Sequence, residues 1–374
     1  MSPTQATTEQ SKQASLGKLM RSLANPLQTG LTVCFALAAG TVTLLIVSDD
    51  PSGSLTAFFL GPFQNIYTFG NMLNSAVPLI VTGLGIVIAF RTSLFNLGGE
   101  GQVYSGALVA TVVCLMIPGA SAFPVILLSL VAAAALGSLI AGISGFFYVR
   151  WRTNELLSSF LISSALILLV DYFITGPLDD PGNNLLSTET IPSGFWLTRL
   201  LPPSHLNTGV ILAALAFALV YVLLFRTRLG YEMRICGGNR EFARYGGIRV
   251  GFVLTASMIA SGGLHGLAGA VAILGTYHAC IQGFSFGLGW NGIAVALIGR
   301  NHPVGVVAAA LLYAYLEAGA KAAVLHSNVS LEIAALVQAV IFYLITAQGL
   351  ISWLPREGLI KHRARAPLRG RRRS

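Results

Sequence analysis

One polar interruption between two apolar segments decides the fold of this chain. SLFNLGGEGQVYSGA (residues 93–107) follows MLNSAVPLIVTGLGIVIAF (72–90) and precedes LVATVVCLMI (108–117). The two flanking segments are apolar enough to predict membrane-spanning helices. The interruption places Asn96, Glu100 and Gln102 among three glycines, which loosen the backbone. It therefore predicts a helix break between two spans.

The composition of the whole chain points to the same class of protein. Of its 374 residues, 54% are hydrophobic and 10% are charged, whereas soluble domains carry about 25% charged residues. The chain has too few charges to cover a surface that faces water. Backbone amides in hydrocarbon must be satisfied within the protein, which favours helices. The sequence therefore predicts an all-α integral membrane protein.

Ten apolar segments are expected to span the membrane. They cover residues 31–47, 72–90, 103–117, 124–149, 156–174, 208–225, 252–274, 284–299, 304–320 and 331–350. The Lys and Arg residues of the connecting segments follow the positive-inside rule apart from Lys321. This pattern predicts that both termini are cytoplasmic. It also divides the chain into an N-terminal tail (1–30), a transmembrane domain (31–350) and a basic C-terminal tail (351–374).

The net charge of +9 does not indicate nucleic-acid binding. The basic stretch KHRARAPLRGRRRS (361–374) follows the last predicted span directly. Cations in that position fix orientation and contact anionic lipid heads. We therefore expect membrane lipids, and no nucleic acid, as partners. The four cysteines lack metal-ligand or redox spacing, so we expect no metal and no cofactor.

The spans are consistent with an internal duplication. Spans two to five begin outside the membrane and spans seven to ten begin inside it. The first span of each group is followed by a stretch rich in glycine and asparagine, FNLGGEGQ (95–102) and FSFGLGWNGIAVALIG (284–299). Two such halves would be inverted relative to each other, and inverted repeats with broken helices are typical of transporters.

Polar residues at the two breaks are the candidate translocation pathway or gate. They are Asn96, Glu100, Gln102 and Asn291. Polar groups in lipid are costly unless they face a cavity or a partner. Two interpretations stay open: the side chains line a pathway, or they cap amides that the break exposes. Asp171 and Glu317 lie near helix ends, where they could reach water or pair with a cation.

The sequence offers no catalytic constellation. GLGWNG (287–292) matches the dinucleotide fingerprint in form, but it lies at the edge of a membrane span and not between a strand and a helix. The chain contains no HExxH, GxSxG or Walker motif. The sequence therefore does not support an enzyme of these classes or a chain that hydrolyses nucleotide by itself.

The longest basic connection, RTRLGYEMRICGGNREFARYGGIRV (226–250), predicts a protruding cytoplasmic surface. It should contain two short helices, broken at Gly230, at Gly237–Gly238 and at 246–247. The opposite, outer side carries the acidic loop 176–207. Such a surface suits a soluble partner. The candidate residues for coupling the loop to that partner are Glu232, Arg234, Gly238, Asn239, Arg244 and Tyr245.

Five stretches together carry a family resemblance. They are FNLGGEGQ (95–102), NELLSSFLIS (154–163), GPLDDP (176–181), LGYEMRICGGNREFARYGGI (229–248) and GWNGIAVALIGRNHPVGVVAAALLYAYLEAG (289–319). With them the chain resembles the permease subunits of bacterial ATP-binding-cassette (ABC) importers of the ribose, branched-chain amino acid and nucleoside class. It is most similar to the branch that serves purine nucleosides through lipoproteins of the basic-membrane-protein type. The likeness covers roughly residues 35–350.

The resemblance implies a set of partners and a location. An ATPase subunit with two fused nucleotide-binding modules would dock on loop 226–250, and a second related permease would complete the pathway. A periplasmic or lipid-anchored solute-binding protein would deliver the solute to the outer face. The expected location is the bacterial inner membrane, and the expected solute is a purine nucleoside. A simple sugar such as ribose, an ion-coupled secondary transporter and a membrane scaffold without transport are the alternatives.

Overall fold

The computed structural model describes residues 50–182 and 184–326, with isolated positions at 37–38, 40–42, 45–46, 339–340 and 343. Regular structure in these residues is helical, and the only β-type pairing recorded among them consists of isolated bridges. The helices are α1 (Pro51–Leu60), α2 (Ile66–Arg91), α3 (Gly99–Met116), α4 (Ala122–Trp151), α5 (Glu155–Ile174), α6 (Gly209–Arg226), α7 (Arg228–Gly238), α8 (Arg240–Tyr245), α9 (Val250–Ala272), α10 (Leu288–Ile298) and α11 (Pro303–His326). α2 to α11 belong to one compact unit, residues 56–326, and a second unit comprises residues 1–55 and 327–374.

Six helices of the described region are long and apolar enough to cross a membrane. They are α2, α4, α5, α6, α9 with its π-helical extension Ile273–Tyr277, and α11. The prediction of an all-α, multi-pass membrane protein is therefore confirmed. The predicted spans at 31–47 and 331–350 and the two terminal tails lie outside the continuously described residues.

The two remaining predicted spans of the described region correspond to helices outside this set of six. Segment 103–117 corresponds to α3, which starts four residues earlier than expected and carries Glu100 in its first turn. Segment 284–299 shrinks to α10, which has 11 residues. At 1.5 Å per residue α10 is about 16 Å long, roughly half the hydrocarbon thickness of a bilayer.

The centre of this unit is built on α2 and α9, the two most buried of the membrane-length helices. Small residues allow α9 to approach α4 closely. A Cβ added at Gly137 would lie 2.2 Å from the Gly262 carbonyl oxygen, and one at Gly266 would lie 2.1 Å from that of Ala133. Small residues of α4 and α9 therefore pack against each other, as is usual for helix interfaces in lipid.

Local capping sets several of the helix ends. Asn65 and Asn154 accept hydrogen bonds from amides of the first turns of α2 and α5, as N-cap residues do. Arg152 takes a left-handed conformation (φ 56°) and ends α4. We call the end of the bundle where α2 stops, and where α5 starts, the Arg91 end. The opposite end, where α5 stops, is the Asp171 end.

The acidic loop at the Asp171 end is folded back onto the helices. Isolated bridges join Asp179 to Thr188, Ser187 to Ile281 and Arg199 to Asn207. The Trp196 ring stacks on His278 with centroids 3.8 Å apart. Loop 176–207, which the sequence places outside the membrane, therefore contacts the segment that follows α9.

Candidate functional site

The first break lies between α2 and α3, at residues 92–98. α2 ends at Arg91, and the Thr92 hydroxyl donates to the Ala89 carbonyl oxygen at 2.8 Å. Ser93 takes a left-handed conformation (φ 53°), which turns the chain before α3 starts at Gly99. The helix is thus interrupted within the stretch that the sequence predicts.

Asn96 and Gln102 hold this break together from the inside. The Asn96 side-chain amide donates to Gln102 Oε1 at 2.9 Å and to Ser261 Oγ at 3.0 Å. Asn96 Oδ1 accepts from Gln102 Nε2 at 3.0 Å and from the Gly98 amide at 3.1 Å. The four bonds use the full hydrogen-bonding capacity of the Asn96 side chain. Both side chains are fully buried, so in this conformation they order the break and face no open space.

Glu100 joins the first break to the second, which lies at the start of α10. Its Oε1 accepts from the Ser285 hydroxyl at 2.5 Å and from the Gly287 amide at 3.0 Å, and its Oε2 accepts from the Gly289 amide at 2.8 Å. The carboxylate therefore caps the N-terminus of α10, where the free amides and the helix dipole favour a negative charge. Glu100 is buried, and these contacts compensate its charge.

The two helix N-termini touch at this point. A Cβ added at Gly289 would lie 2.3 Å from the Glu100 amide nitrogen and 2.3 Å from the Gly99 carbonyl carbon. Only glycine allows the two backbones to approach so closely. The glycines of both polar stretches therefore serve close contact between two helix starts.

The meeting point lies deep within the bundle. The Leu97 amide, just before α3, donates to Ser159 Oγ; farther along, the Gly101 amide of α3 donates to Ser163 Oγ and the Tyr104 hydroxyl to Asp171 Oδ1. These contacts advance together along α3 and α5, so the two helices run in parallel. Ser163 follows the first residue of α5 by eight positions, which puts Gly101 about 12 Å inside the Arg91 end.

α10 runs in the opposite direction. Gly292 packs on Thr82 of α2, and Asn301, which follows α10, lines a cavity with Arg91 at the end of α2. α3 therefore leads from the meeting point toward the Asp171 end, and α10 leads toward the Arg91 end.

The structure brings three of the four predicted pathway residues together around the start of α3 and leaves the fourth at the edge of this region. Asn291 lies in the first turn of α10, is half-buried, and makes no side-chain hydrogen bond recorded among the described residues. Sequence reasoning did not find His265, which is fully buried against Gly99 and Gly85 with its Nε2 unpartnered. Its Nδ1 lies 2.8 Å from the Ser261 carbonyl oxygen. Its polarity in an apolar helix was the available signal.

The other two intramembrane acids have local partners. Asp171 accepts from Tyr104 at 2.6 Å, and the Tyr104 hydroxyl oxygen accepts from the Gly283 amide at 2.9 Å. Glu317 pairs with Lys321 one helical turn later, at 2.7 Å. Among the described residues no cluster of three or more His, Cys, Asp or Glu side chains is placed to hold a metal ion.

The candidate coupling loop consists of α7 and α8, two short helices as predicted, but Gly230 does not break them. Gly230 lies in the first turn of α7, where a Cβ would meet the Leu223 carbonyl oxygen at 2.0 Å. It is therefore a packing glycine. Asn239 ends α7 and caps α8 by accepting from the Phe242 amide at 2.9 Å.

The predicted coupling residues divide into inward-facing and exposed groups. Arg234 donates to the Leu224 carbonyl oxygen and lies over the Phe225 ring, so it faces the membrane helices. Glu232 pairs with Arg228 at 2.9 Å. Tyr245 is 91% exposed, and Phe242, which sequence reasoning did not select, is 64% exposed. Arg244 is exposed and pairs with Glu241. The last turn of the loop therefore presents aromatic and cationic groups to the outside.

The loop also contacts the first break directly. The Ser93 hydroxyl donates to the Gly237 carbonyl oxygen at 2.8 Å, and a Cβ added at Gly237 would lie 2.2 Å from the Arg91 carbonyl oxygen. Arg240, at the start of α8, donates to the Ser93 carbonyl oxygen at 2.9 Å and to the Tyr148 hydroxyl. A displacement of α7 or α8 would therefore act on residues 91–93, the first residues of the break.

Comparisons with known proteins identify a family of transport permeases. The family described as "Branched-chain amino acid transport system / permease component" matches residues 68–346. The "Probable riboflavin import permease protein RfuC" of Treponema pallidum (strain Nichols) is 32% identical over 323 residues, which cover 86% of each chain. The "Guanosine ABC transporter permease protein NupP" of Bacillus subtilis (strain 168) is 32% identical over 340 residues, 90% of this chain and 97% of its own.

A third relative carries a different solute in its name. The "Glucose ABC transporter permease protein TsgB13" of Haloferax volcanii is 30% identical over 334 residues, 85% of this chain and 86% of its own. No solved structure matches the chain.

Proposed function

The chain belongs to the family described as "Branched-chain amino acid transport system / permease component", and we propose that it forms part of the translocation pathway of an ABC importer for a nucleoside. It is a multi-pass membrane protein and a transport component rather than an enzyme. The observation that carries the proposal is the contact of α7 and α8 with the break at residues 91–93, which continues into the Asn96, Gln102 and Glu100 network.

In the proposed mechanism, the break transmits the movement of a soluble ATPase. The ATPase binds the exposed last turn of α8, with Arg244 and Tyr245 in contact. ATP binding shifts α7 and α8, and Gly237 and Arg240 pull on Ser93. The strain then reaches the joined starts of α3 and α10. Separation of these two starts opens a path at depth, and Asn291, which is half-buried beside them, comes to line it.

The full topology proposed has ten spans with both termini in the cytoplasm. Its domains are a tail at 1–30, a transmembrane domain at 31–350 with its outer loop at 176–207 and coupling loop at 226–250, and a basic tail at 351–374. An inverted repeat is supported by α3 and α10, which start at one point and run in opposite directions. Inverted repeats of other transporters likewise meet at broken helices near the membrane centre.

The proposed solute is a nucleoside. Guanosine and riboflavin, the solutes in two relatives' names, both join a planar nitrogen heterocycle to a polyhydroxylated group. The second candidate is a simple sugar, which the glucose permease relative favours. Nucleosides and simple sugars are both uncharged and polar. Such solutes suit a pathway in which the buried charge of Glu100 is already compensated.

The proposed complex contains this chain and three other components. An ATPase subunit with two nucleotide-binding modules hydrolyses ATP, a second related permease completes the pathway, and a solute-binding protein supplies the outer face. The complex would lie in a bacterial inner membrane. The exposed apolar faces of α4, α5 and α6 are the surfaces available to lipid and to the second permease.

Uptake by the reconstituted complex tests the proposed function. Proteoliposomes containing the complex should accumulate labelled guanosine when ATP is supplied on the cytoplasmic side, and labelled ribose or glucose much less. Uptake that needs an ion gradient and no ATP would instead establish a secondary transporter. ATP-driven uptake of sugar without nucleoside would replace the solute and leave the ABC permease in place.

The docking surface needs a test of its own. Because Arg234 packs against α6, its substitution would disturb the fold as well as any interface. Arg244→Glu combined with Tyr245→Ala alters only exposed groups of α8 and should prevent co-purification of the ATPase. Tyr172→Ala, which changes an exposed tyrosine near the Asp171 end, is the matched control and should have no effect. Normal co-purification after the double substitution would rule out α8 as the docking site.

A further inference from the structure

A cavity at the Arg91 end is lined by three arginines and lacks any acidic residue in its lining. Its volume is about 340 Å³, and Arg91, Arg234 and Arg300 form its walls together with Ser93, Gly237 and Asn301. The walls come from the end of α2, the inward side of α7 and the turn between α10 and α11. The cavity therefore lies between the membrane helices and the coupling loop, and not on the outer surface of α8.

The three guanidinium groups lack carboxylate partners in the described part of the chain. The ion pairs there join Arg228 to Glu232, Arg244 to Glu241 and Lys321 to Glu317. Arg91 and Arg234 instead both lie near the Phe225 ring, with their guanidinium carbons 5.8 and 5.6 Å from its centroid. Three like charges around one cavity repel each other, so an anion in the cavity would be held strongly.

Two residues of the cavity wall also contain a buried polar atom that makes no hydrogen bond among the described residues. These atoms are Arg91 Nε and Asn301 Oδ1. Buried polar atoms are normally paired, and an unpaired one indicates strain, a functional role or a missing water or ion. Arg300 and Asn301 both hold left-handed conformations, with φ of 55° and 54°. Such backbone is disfavoured for non-glycine residues and collects at functional positions.

We propose that this three-arginine cavity binds a phosphate group. A single carboxylate would neutralise one of three charges, whereas a phosphate offers several oxygens to planar guanidinium forks. The cavity lies at the level where α2 and α6 end, and basic pockets between membrane helices on the cytoplasmic side suit phospholipid head groups. The phosphate belongs either to such a lipid or to a soluble phosphate compound.

The test uses the purified full-length permease and two phosphate sources. In the first arm, native mass spectrometry counts phosphatidylglycerol retained from nanodiscs of phosphatidylcholine and phosphatidylglycerol. In the second arm, calorimetry follows inorganic phosphate added to the protein in nanodiscs of phosphatidylcholine alone. Arg300→Gln should weaken binding by about tenfold, the ratio expected for one charge-assisted bond. Arg249→Gln removes the same charge from an exposed position outside the cavity and should leave binding unchanged.

The outcomes distinguish a lipid phosphate from a soluble phosphate compound. Retention of phosphatidylglycerol that Arg300→Gln weakens about tenfold and Arg249→Gln preserves identifies a lipid. The same pattern with inorganic phosphate alone identifies a soluble compound. Arg300→Lys keeps the charge without the fork and should give an intermediate affinity, which excludes misfolding as the cause. Equal weakening by Arg300→Gln and Arg249→Gln would overturn the proposal. Absence of binding in both arms would also overturn the proposal. It would do so even if Arg300→Gln weakened association with the ATPase.

Discussion

Replacement of Glu100 by alanine tests whether one carboxylate holds the two helix breaks together. The change removes the acceptor for the Ser285 hydroxyl and for the Gly287 and Gly289 amides. The Gly289 amide is buried, so its unpaired state costs about 1–3 kcal/mol, and the half-buried Gly287 amide adds about 0.5–1.5 kcal/mol. We therefore expect Glu100→Ala to lower the free energy of unfolding by about 2–4 kcal/mol.

Two measurements are needed because stability and transport answer different questions. Thermal unfolding of the purified permease measures the loss of order, and ATP-driven uptake by the reconstituted complex measures function. Glu100→Gln retains one acceptor oxygen and should cost about half as much as alanine. Glu155→Gln removes an acid from the first turn of α5, where its side chain makes no hydrogen bond recorded among the described residues, and should leave both measurements unchanged.

The two readouts together can refute the reasoning. If Glu100→Ala unfolds like the unmodified protein and transports normally, the carboxylate does not join the breaks. If it keeps normal stability and loses transport, Glu100 acts on the solute or on the pathway, and the structural role is wrong. A parallel loss of stability and uptake, partly restored in Glu100→Gln, is the result that the hydrogen bonds predict.

Three further changes examine other parts of the same assembly. Gly289→Ala should lower the free energy of unfolding by about 3 kcal/mol, because the added Cβ would overlap backbone atoms of α3. Gly238→Ala is the control, since its Cβ meets open space. Equal melting temperatures of the two variants would contradict the close approach of α3 and α10. Asn96→Ala and Gln102→Ala should be non-additive, with a coupling energy of about 1–2 kcal/mol in a double-mutant cycle measured by thermal unfolding, and simple additivity would show that the paired amides do not cooperate. Arg240→Lys should leave ATPase association intact but lower uptake per ATP hydrolysed about fivefold, since an ammonium cannot reproduce both bonds of the guanidinium fork, and unchanged coupling would exclude this contact from the transmission route.

The positions of the membrane helices could be predicted from the sequence because hydrophobicity is a local property. Predicted segments 156–174 and 208–225 fall within a residue of α5 and α6. The polar stretch at 93–102 likewise predicted the break, although the helix is interrupted only up to Gly98 and Gly99–Gln102 already form the first turn of α3. The prediction was poorest for α10, because its apolar composition hides how little of it is helical.

The roles of individual side chains could not be predicted in the same way. Glycine at position 230 looked like a helix breaker, yet the close approach of Leu223 makes it a packing residue inside α7. Arg234 and Tyr245 looked equivalent in a basic loop, yet one contacts the Leu224 carbonyl oxygen and the other is exposed. Sequence propensity is a property of a single residue type. The roles of these residues depend instead on the side chains and backbone of other helices that pack against them.

The sequence by itself determined that this is an all-helical membrane protein and that its apolar segments are interrupted at two polar stretches; it predicts which side of the membrane carries the basic connections. Only the tertiary structure decided that Glu100 caps a helix that starts 188 residues later, at Leu288, and that Gly237 contacts the end of α2. The physical reason is that a buried polar group requires a partner, but its chemistry does not specify which one. The packing of helices distant in sequence makes that choice.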